Sequence, residues 1–306
     1  MQGDTRPSNG LRFDLVAIFI LSTTFLIALI LWLDNAQGVT SNGIFKAMTI
    51  KRWMADWSNT HLDPSNYLYY PFMAVLCRLL DLIDVFPGDP RRQLTIINAT
   101  SAALCLCIVY LLARRLTGSR AIAWAAAAFH LASAFFLNLG VINEDIMPSY
   151  TLMFASMALA AVWFVEPTMR RVALVSFVFT LGWMFEWRLM FPTLPAMLVA
   201  LALSPGRPLE RLGRILLFLA VMVSLAEVAI LLWGPQNSNP GRVTELLWTG
   251  KGVAEGWAGF STVKVGLLWA GMTQYLAGGA NVGDPSGLPV LMDRMLLTTP
   301  LSLIHI

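Results

Sequence analysis

The stretch AIAWAAAAFHLASAFFLNLGVINEDIMPSYTLMFASMALAAVWFV, which runs from Ala121 to Val165, decides the fold of this chain. It holds two apolar runs, each long enough to cross a bilayer, with Glu144 and Asp145 between them. No other acidic residue occurs in this stretch. Ionised carboxylates at a membrane boundary are costly to desolvate, so a tandem pair at this position favours a functional interpretation.

Composition places the chain among integral membrane proteins. Apolar residues make up 57% and charged residues 13% of the 306 residues, and the mean hydropathy is +0.65. Soluble domains carry about 25% charged residues. The net charge of +3 is too small to indicate a nucleic-acid partner. Cys77, Cys105 and Cys107 are predicted to be ordinary core residues, since the last two face different sides of one apolar helix.

Seven apolar segments are predicted to cross the membrane, which makes the chain an all-α polytopic membrane protein. The segments are residues 13–33, 94–113, 121–141, 147–165, 172–185, 189–203 and 215–234. The first lacks a small-residue cleavage site after it and is interpreted as an uncleaved anchor. The fifth and sixth are short, but one straight helix through both would overshoot the bilayer.

Arginines are far more frequent in the inner segments of this topology than in its short outer loops. With the N-terminus inside, the inner segments hold ten arginines, whereas the short outer loops at 142–146 and 186–188 hold only Arg188. The ten are Arg6, Arg12, Arg114, Arg115, Arg120, Arg170, Arg171, Arg207, Arg211 and Arg214. Because inner loops of membrane proteins are enriched in Lys and Arg, this asymmetry favours seven crossings over six.

Residues 34–93 then form one long outer loop that is rich in Trp and Tyr. The 67–83 stretch looks like a span, but it contains a proline, an arginine and an aspartate, and counting it would invert the topology after it. We therefore expect a helix at the outer interface there, with Tyr69 and Tyr70 at headgroup level. A second helical piece is predicted around 44–57.

Residues 235–300 are predicted to form a second outer segment. Its middle, 260–276, is mildly apolar but contains Lys264, so an interfacial helix is favoured there over an eighth crossing. Residues 301–306, Leu-Ser-Leu-Ile-His-Ile, match the translation of a transposon adapter used in sequencing libraries. We expect them to be foreign and the natural chain to continue beyond residue 300.

Three strings, taken in their order within this topology, resemble a known family. They are His61-Leu-Asp-Pro-Ser-Asn-Tyr-Leu-Tyr-Tyr-Pro71, Val109-Tyr-Leu-Leu-Ala-Arg-Arg-Leu-Thr-Gly118 and Asn143-Glu-Asp145. Residues 1–234 resemble the seven-span module of the GT-C glycosyltransferases, the polytopic enzymes that use polyprenyl-phosphate-linked sugars. Protein O-mannosyltransferases, aminoarabinose transferases and the lipopolysaccharide-core transferases of rhizobia belong to this superfamily.

The resemblance implies an inverting transfer of a sugar from a polyprenyl phosphate to a hydroxyl of a glycan, lipid or protein acceptor. It also implies a bacterial inner membrane, with the active site facing the periplasm. The family has an acid just beyond the first span that acts as base toward the acceptor, and Asp34 occupies that position. Asn35 stands where many relatives have a second acid. The family's other acidic element maps onto Glu144 and Asp145.

The leaving lipid phosphate needs positive charge. A divalent metal, Mg²⁺ or Mn²⁺, on Glu144 and Asp145 is one source, and a nearby guanidinium is the other. The candidate substrate-binding residues are His61, Tyr69, Arg91, Arg92, Glu186 and Arg188.

Each candidate has an ordinary structural alternative. Asp34 could mark the end of a span, and Glu144-Asp145 could be a solvated turn or a cap of the next helix. Glu227 is interpreted either as paired within the bundle or as part of the lipid-phosphate site. His130 is more typical of a packing residue.

Two other functional classes stay open. A secondary transporter also uses intramembrane acids, but it is expected to have inverted repeats, and the chain shows no convincing repeat. A lipid-linked polysaccharide ligase or polymerase would share the topology and the substrate, but it is expected to rely on a basic outer loop. Proton-coupled flux in vesicles would favour the transporter, and sugar transfer from a polyprenyl phosphate would favour the enzyme.

Overall fold

The computed structural model describes residues 9–32, 41–57, 68–143 and 146–233, and every regular element within these ranges is helical. The helices are α1 (Asn9–Trp32), α2 (Ser41–Ala55), α3 (Tyr69–Leu82), α4 (Pro90–Thr117), α5 (Arg120–Ala132), α6 (Ala134–Val141), α7 (Ile146–Trp163), α8 (Met169–Phe185), α9 (Trp187–Met190), α10 (Leu194–Leu203) and α11 (Pro208–Trp233). The predicted helices at 44–57 and 67–83 correspond to α2 and α3.

Three helices are long and apolar enough to cross a membrane, namely Gly10–Trp32, Pro90–Thr117 and Ile146–Trp163. A fourth candidate results if the bent pair Arg120–Ala132 and Phe135–Val141 counts as one span. The described part of the chain is therefore that of a helical membrane protein with three or four candidate spans. The seven-crossing arrangement stays a prediction.

Capping residues set both ends of α4. Its N-terminal cap is Asp89, whose carboxylate accepts a hydrogen bond from the Arg92 amide at 3.4 Å, and Pro90 occupies the first helical position. The helix ends at Gly118, whose φ of 67° lies in the left-handed region that favours glycine. Ser119 then caps α5 with its hydroxyl. Two residues therefore suffice to reverse the chain between α4 and α5.

The segment predicted as one span at 121–141 forms two helices and not one continuous helix, and whether the pair crosses the membrane stays a prediction. The two parts meet at an angle of 69°. Ser133 stabilises the break, because its hydroxyl donates to the His130 carbonyl at 2.9 Å and accepts from the Phe136 amide at 3.3 Å. One side chain thus ends α5 and caps α6.

The span predicted at 189–203 is also interrupted. The short helix α9 is followed by a 3₁₀ turn at Phe191–Thr193, and α10 begins only at Leu194. Pro192 and Pro195 lie at this junction. A proline has no amide hydrogen and clashes with the preceding turn, so a continuous helix does not form here.

The helices form a bundle with two opposite ends. At one of them, Asp14 of α1 contacts Tyr110 of α4 and Arg120 of α5, and Met169 of α8 lies beside Gly213 of α11. We call it the basic end, and its arginines are Arg12, Arg114, Arg115, Arg120, Arg170, Arg171, Arg207, Arg211 and Arg214. The opposite end, where α2, α3 and the starts of α4, α7 and α9 lie, is called the aromatic end.

Helix α4 is central in this bundle and contacts α1, α5, α6 and α7. Small residues permit close approach, since a Cβ at Gly140 of α6 would lie 3.4 Å from both Ala102 of α4 and Leu26 of α1. Small residues at helix contacts are typical of membrane bundles, where van der Waals packing drives association. The last two turns of α1 therefore run beside the end of α6.

Candidate functional site

A buried aromatic cluster lies at the aromatic end, between α2, α3 and the end of α8. The Tyr69 ring contacts Tyr70 and Phe185 edge to face, with centroid distances of 5.4 and 6.3 Å. Tyr69 and Tyr70 are 0% and 2% exposed. These two side chains are therefore packed between α2, α3 and α8 and do not face lipid, while their predicted level at the headgroups stays a prediction. They hold α3 in place.

Lys46 of α2 is a buried cation in this cluster. It is 3% exposed, and its Nζ lies 5.8 Å from the centroid of the Tyr69 ring. Lysine is almost never fully buried unless its charge is compensated, and an aromatic face compensates part of it. The burial of Lys46 therefore indicates a role beyond solubility at the aromatic end.

Two buried asparagines anchor the segment that leads to the acidic pair at 144–145. Asn98 of α4 donates to the Ile142 carbonyl at 2.6 Å, and Asn143 donates to the Gly43 carbonyl of α2 at 2.9 Å. Both asparagines are fully buried. These bonds pair backbone carbonyls that water does not reach. Hydrogen bonds from α4 and to α2 therefore fix the two residues that follow α6.

The contact of Asn143 lies close to Lys46 along α2. Gly43 and Lys46 are three residues apart, which places them one helical turn from each other. The Asn143 amide oxygen is buried and has no hydrogen-bond partner within the described ranges. An acceptor for a hydroxyl group is thus available immediately before the acidic pair.

The loop between α3 and α4 is compact and polar. The Asp81 carboxylate accepts hydrogen bonds from the Gly88 amide at 2.9 Å and from the Gln93 side chain at 2.6 Å. Asp84 and Phe86 have φ values of 55° and 48°, which are uncommon for residues other than glycine. The bonds of Asp81 hold the loop in this backbone conformation and so position the start of α4.

Arg91 and Arg92 lie half-buried in the first turn of α4. The Arg92 guanidinium is engaged, since it lies 5.4 Å from the Phe86 ring centroid and 3.8 Å from the Asp89 carboxylate. Arg91 forms no ion pair or hydrogen bond through its side chain within the described part of the chain. Of the two, Arg91 is the better candidate for binding a phosphate.

Glu186 lies at the junction of α8 and α9 and is buried. Its amide donates to the Gly182 carbonyl at 3.0 Å, and its carbonyl accepts from the Ser149 hydroxyl at 3.3 Å. The backbone there is held by α7 and α8 together. Arg188 follows in α9, and its side chain lies outside what the structure describes, so its substrate-binding role stays a prediction.

Four predicted site residues, Asp34, His61, Glu144 and Asp145, lie outside the described residues. Their roles therefore stay predictions. In the ranges that the structure describes, no group of three or more His, Cys, Asp or Glu side chains could hold a metal ion. The two predicted metal ligands are not in those ranges, so this finding does not bear on them.

His130, Cys77 and Cys105 are packing residues of the bundle, whereas Glu227 is exposed. His130 is buried and its ring stacks on Tyr150 at 5.9 Å, as expected for a packing residue. Cys77 and Cys105 are buried, and burial raises the pKa of the Cys77 thiol to about 12.

Glu227 is exposed on α11 and has no ion pair among the described residues. Pairing of Glu227 within the described bundle is therefore not found.

A polar cluster at the basic end is absent from the predictions. The Asp14 carboxylate is 2% exposed and accepts hydrogen bonds from the Tyr110 hydroxyl at 2.5 Å and from Arg120 at 2.5 and 2.8 Å. The Arg120 contact is bidentate, which is the strong geometry for such a pair. In the sequence, the only indication of this polar cluster is that an acid, Asp14, lies at the start of an apolar span. Because it lies at the opposite end from Lys46, we assign it to the assembly of α1, α4 and α5.

No family model matches the chain, and no curated protein or solved structure is significantly similar to it. A function is therefore argued from the residues and their geometry.

Proposed function

We propose that the chain is a GT-C-type glycosyltransferase that moves a sugar from a polyprenyl-phosphate donor to an acceptor hydroxyl, with inversion, at the aromatic end. The observation that carries the proposal is the 2.9 Å hydrogen bond from Asn143 to the Gly43 carbonyl. This bond fixes Asn143 against α2, close to the buried Lys46. It supports a site that includes the acidic pair at 144–145, which comes next in the sequence. Acids, a buried cation and aromatic rings are the groups that a phosphate-linked sugar requires.

The proposal includes seven crossings, of which four are the three candidate spans and the bent pair α5 and α6 taken as one span. The others would be α8, α9 together with α10, and α11. Helix α8 has 17 residues and α11 has 26. At 1.5 Å per residue α8 is about 25 Å long, slightly less than the hydrocarbon core, and local thinning of the bilayer accommodates such a difference. Helix α9, just before the interruption, contacts both α7 and α8.

Asp34 is the proposed base toward the acceptor. It follows the last residue of α1, Trp32, by two positions, and α1 runs beside the end of α6. This neighbourhood supports a shared site for Asp34 and the 144–145 pair. The carboxylate takes the proton of the acceptor hydroxyl while the oxygen attacks the anomeric carbon. The bond from that carbon to the phosphate oxygen breaks, and its electron pair leaves with the lipid phosphate.

The phosphate that leaves needs a cation, and the chain offers Lys46 and Arg91 at the aromatic end. Adjacent carboxylates such as Glu144 and Asp145 are hard oxygen donors that suit Mg²⁺ or Mn²⁺. Such an ion, when bound there, would polarise the phosphoryl oxygens. In this proposal the protein residues orient the donor, and Asp34 accepts the proton.

The test uses membranes that contain the product of the complete gene and a radiolabelled polyprenyl-phosphate sugar. Asp34→Asn is expected to lower kcat at least about a hundredfold with little change in donor binding, because asparagine keeps the size but does not accept a proton. Glu144→Gln, Asp145→Asn and Lys46→Gln are expected mainly to raise KM for the donor.

Asp84→Asn is the matched control, since it makes the same chemical change on an exposed loop of the aromatic end. Asparagine tolerates the left-handed backbone at this position, so full activity is expected. Wild-type turnover in Asp34→Asn would remove the base assignment. Unchanged kinetics in all four site variants would remove the proposed site.

A further inference from the structure

A groove runs along the outside of the bundle between α8 and α11 and begins at the basic end. Its volume is about 540 Å³, and its walls are apolar, with Ala173, Phe177 and Ala220 among the lining residues. Arg170, the second residue of α8, lines the same groove. An open apolar groove with a cation at one end is therefore present on the outside of the bundle.

The groove is a fixed feature of the packing between the two helices. On the other side of the contact, the Ser176 hydroxyl donates to the Phe218 carbonyl at 2.6 Å, and the rings of Phe179 and Phe218 lie 5.4 Å apart. These contacts hold α8 against α11. Small side chains at Ala173 and Ala220 then leave the space of the groove between the helices.

The guanidinium of Arg170 has no bonding partner among the described residues, whereas those of the nearby Arg171 and Arg214 do. Arg171 donates to the Glu166 carbonyl at 2.7 Å, and Arg214 donates to the Ser204 hydroxyl at 3.1 Å. Arg170 is exposed and has neither an ion pair nor a hydrogen bond through its side chain within the described ranges. Its guanidinium is therefore available to an anion from outside the bundle.

Resting on the crossings of α8 and α11 in the proposed function, we propose that this groove binds one anionic phospholipid, with an acyl chain between α8 and α11 and the phosphate on Arg170. The volume lies in the range of about 300–1,000 Å³ that is usual for small-molecule sites. From Arg170 to Phe177 the groove rises about 10 Å, less than half of the hydrocarbon core of about 30 Å, so it matches a chain from one leaflet. Basic pockets between membrane helices recognise anionic headgroups through the same combination of charge and apolar wall.

The test measures lipid retention by the full 306-residue chain in nanodiscs of equal parts phosphatidylglycerol and phosphatidylcholine with identical acyl chains. Native mass spectrometry after release of the protein counts the lipids that stay bound. The wild-type chain is expected to retain one phosphatidylglycerol with about fivefold preference, the value expected for one arginine at the membrane surface. Arg170→Gln is expected to remove the preference, and Ala220→Trp to remove retention by filling the groove.

Two matched controls lie outside the groove. Arg115→Gln removes another exposed arginine of the basic end, and Val199→Trp introduces the same side chain at an exposed position of α10. Both are expected to retain the lipid as the wild-type chain does. Equal retention of the two lipids, or an unchanged preference in Arg170→Gln, would overturn the proposal.

A photo-crosslinking residue at Leu174, inside the groove, identifies the occupant directly. An adduct with phosphatidylglycerol supports the proposal. A crosslink to residues 234–306 of the same chain, or to a second copy, would show that protein fills the groove and would overturn it.

Discussion

Asp14 lies near the start of the apolar helix α1. Its partners determine how far its buried charge destabilises the folded protein. Its side chain is 2% exposed, whereas that of Arg120 is 58% exposed. A buried charge without a partner is strongly destabilising, while a charge that can turn toward water is not. The pair is therefore asymmetric, and losing one member is not equivalent to losing the other.

We expect Arg120→Gln to lower the Tm of the purified protein more than Asp14→Asn does. The first change leaves the Asp14 carboxylate buried without a counter-charge, and the second leaves an arginine that reaches solvent. Differential scanning fluorimetry in detergent measures both, with Arg115→Gln as the control for loss of a basic-end arginine.

The double variant Asp14→Asn/Arg120→Gln extends this test. It is expected to regain part of the stability lost in Arg120→Gln, because the buried position then carries no charge. A Tm for Asp14→Asn below that of Arg120→Gln, or no recovery in the double variant, would contradict the assignment.

Gly182 shows how closely α7, α8 and α9 approach one another. A Cβ at this position would lie 3.0 Å from the Met190 sulfur and 3.1 Å from the Leu152 Cβ. The first neighbour is flexible, but the second is attached directly to the α7 backbone. The carbonyl of Gly182 also accepts a hydrogen bond from the Glu186 amide at 3.0 Å. A shift of α8 at this glycine would therefore move a candidate binding residue.

Gly182→Ala is expected to destabilise the protein by about 1–3 kcal/mol, the usual cost of adding a methyl group to a tightly packed contact. Gly213→Ala in α11 is the matched control, since its Cβ would meet Met169 at 3.6 Å, an ordinary contact. There the better helix propensity of alanine should leave stability unchanged or raise it by up to about 1 kcal/mol. Unfolding by SDS titration gives both values, and equal losses in the two variants would refute the packing argument.

The arrangement of the whole bundle separates charge from aromatic surface. Nine of the arginines in the described part of the chain lie at the basic end, whereas the aromatic cluster, Lys46, Arg91, Arg92 and the anchored segment before residue 144 lie at the other end. Because inner membrane surfaces favour Lys and Arg, we expect the basic end to face the cytoplasm. Two of the native cysteines are poor targets for a thiol reagent and do not report on this orientation. Cys77 and Cys105 are buried, and the raised pKa of Cys77, about 12, keeps its thiol protonated at neutral pH.

The topology prediction is that a single cysteine at Thr117, at the basic end of α4, is protected from an impermeant maleimide added outside intact cells. A cysteine at Asp84, in the exposed loop after α3, should react under the same conditions. Cys77, Cys105 and Cys107 are replaced in both. Labelling at 117 with protection at 84 would invert the orientation and place the proposed site in the cytoplasm.

Much of the fold follows from the residues alone, because it rests on local properties of the chain. Long apolar runs and scarce charge indicate a helical membrane protein. Asp89-Pro90 marks the start of α4, and Gly118-Ser119 marks the turn into α5. The break at Ser133 was not predicted, because a serine in an apolar run is compatible with a continuous helix until its hydroxyl bonds to the backbone.

The contacts that define the candidate site, and the ion pair at the basic end, were decided only by the tertiary structure. Asn143 and Gly43 are 100 residues apart, and Asp14 and Arg120 are 106 apart. Lys46 looks like a solvated loop residue until α3 covers it. Composition and charge asymmetry are sums over single residues, so they can be obtained without coordinates. Burial of a polar side chain depends on which distant helix packs against it, and no local pattern carries that information.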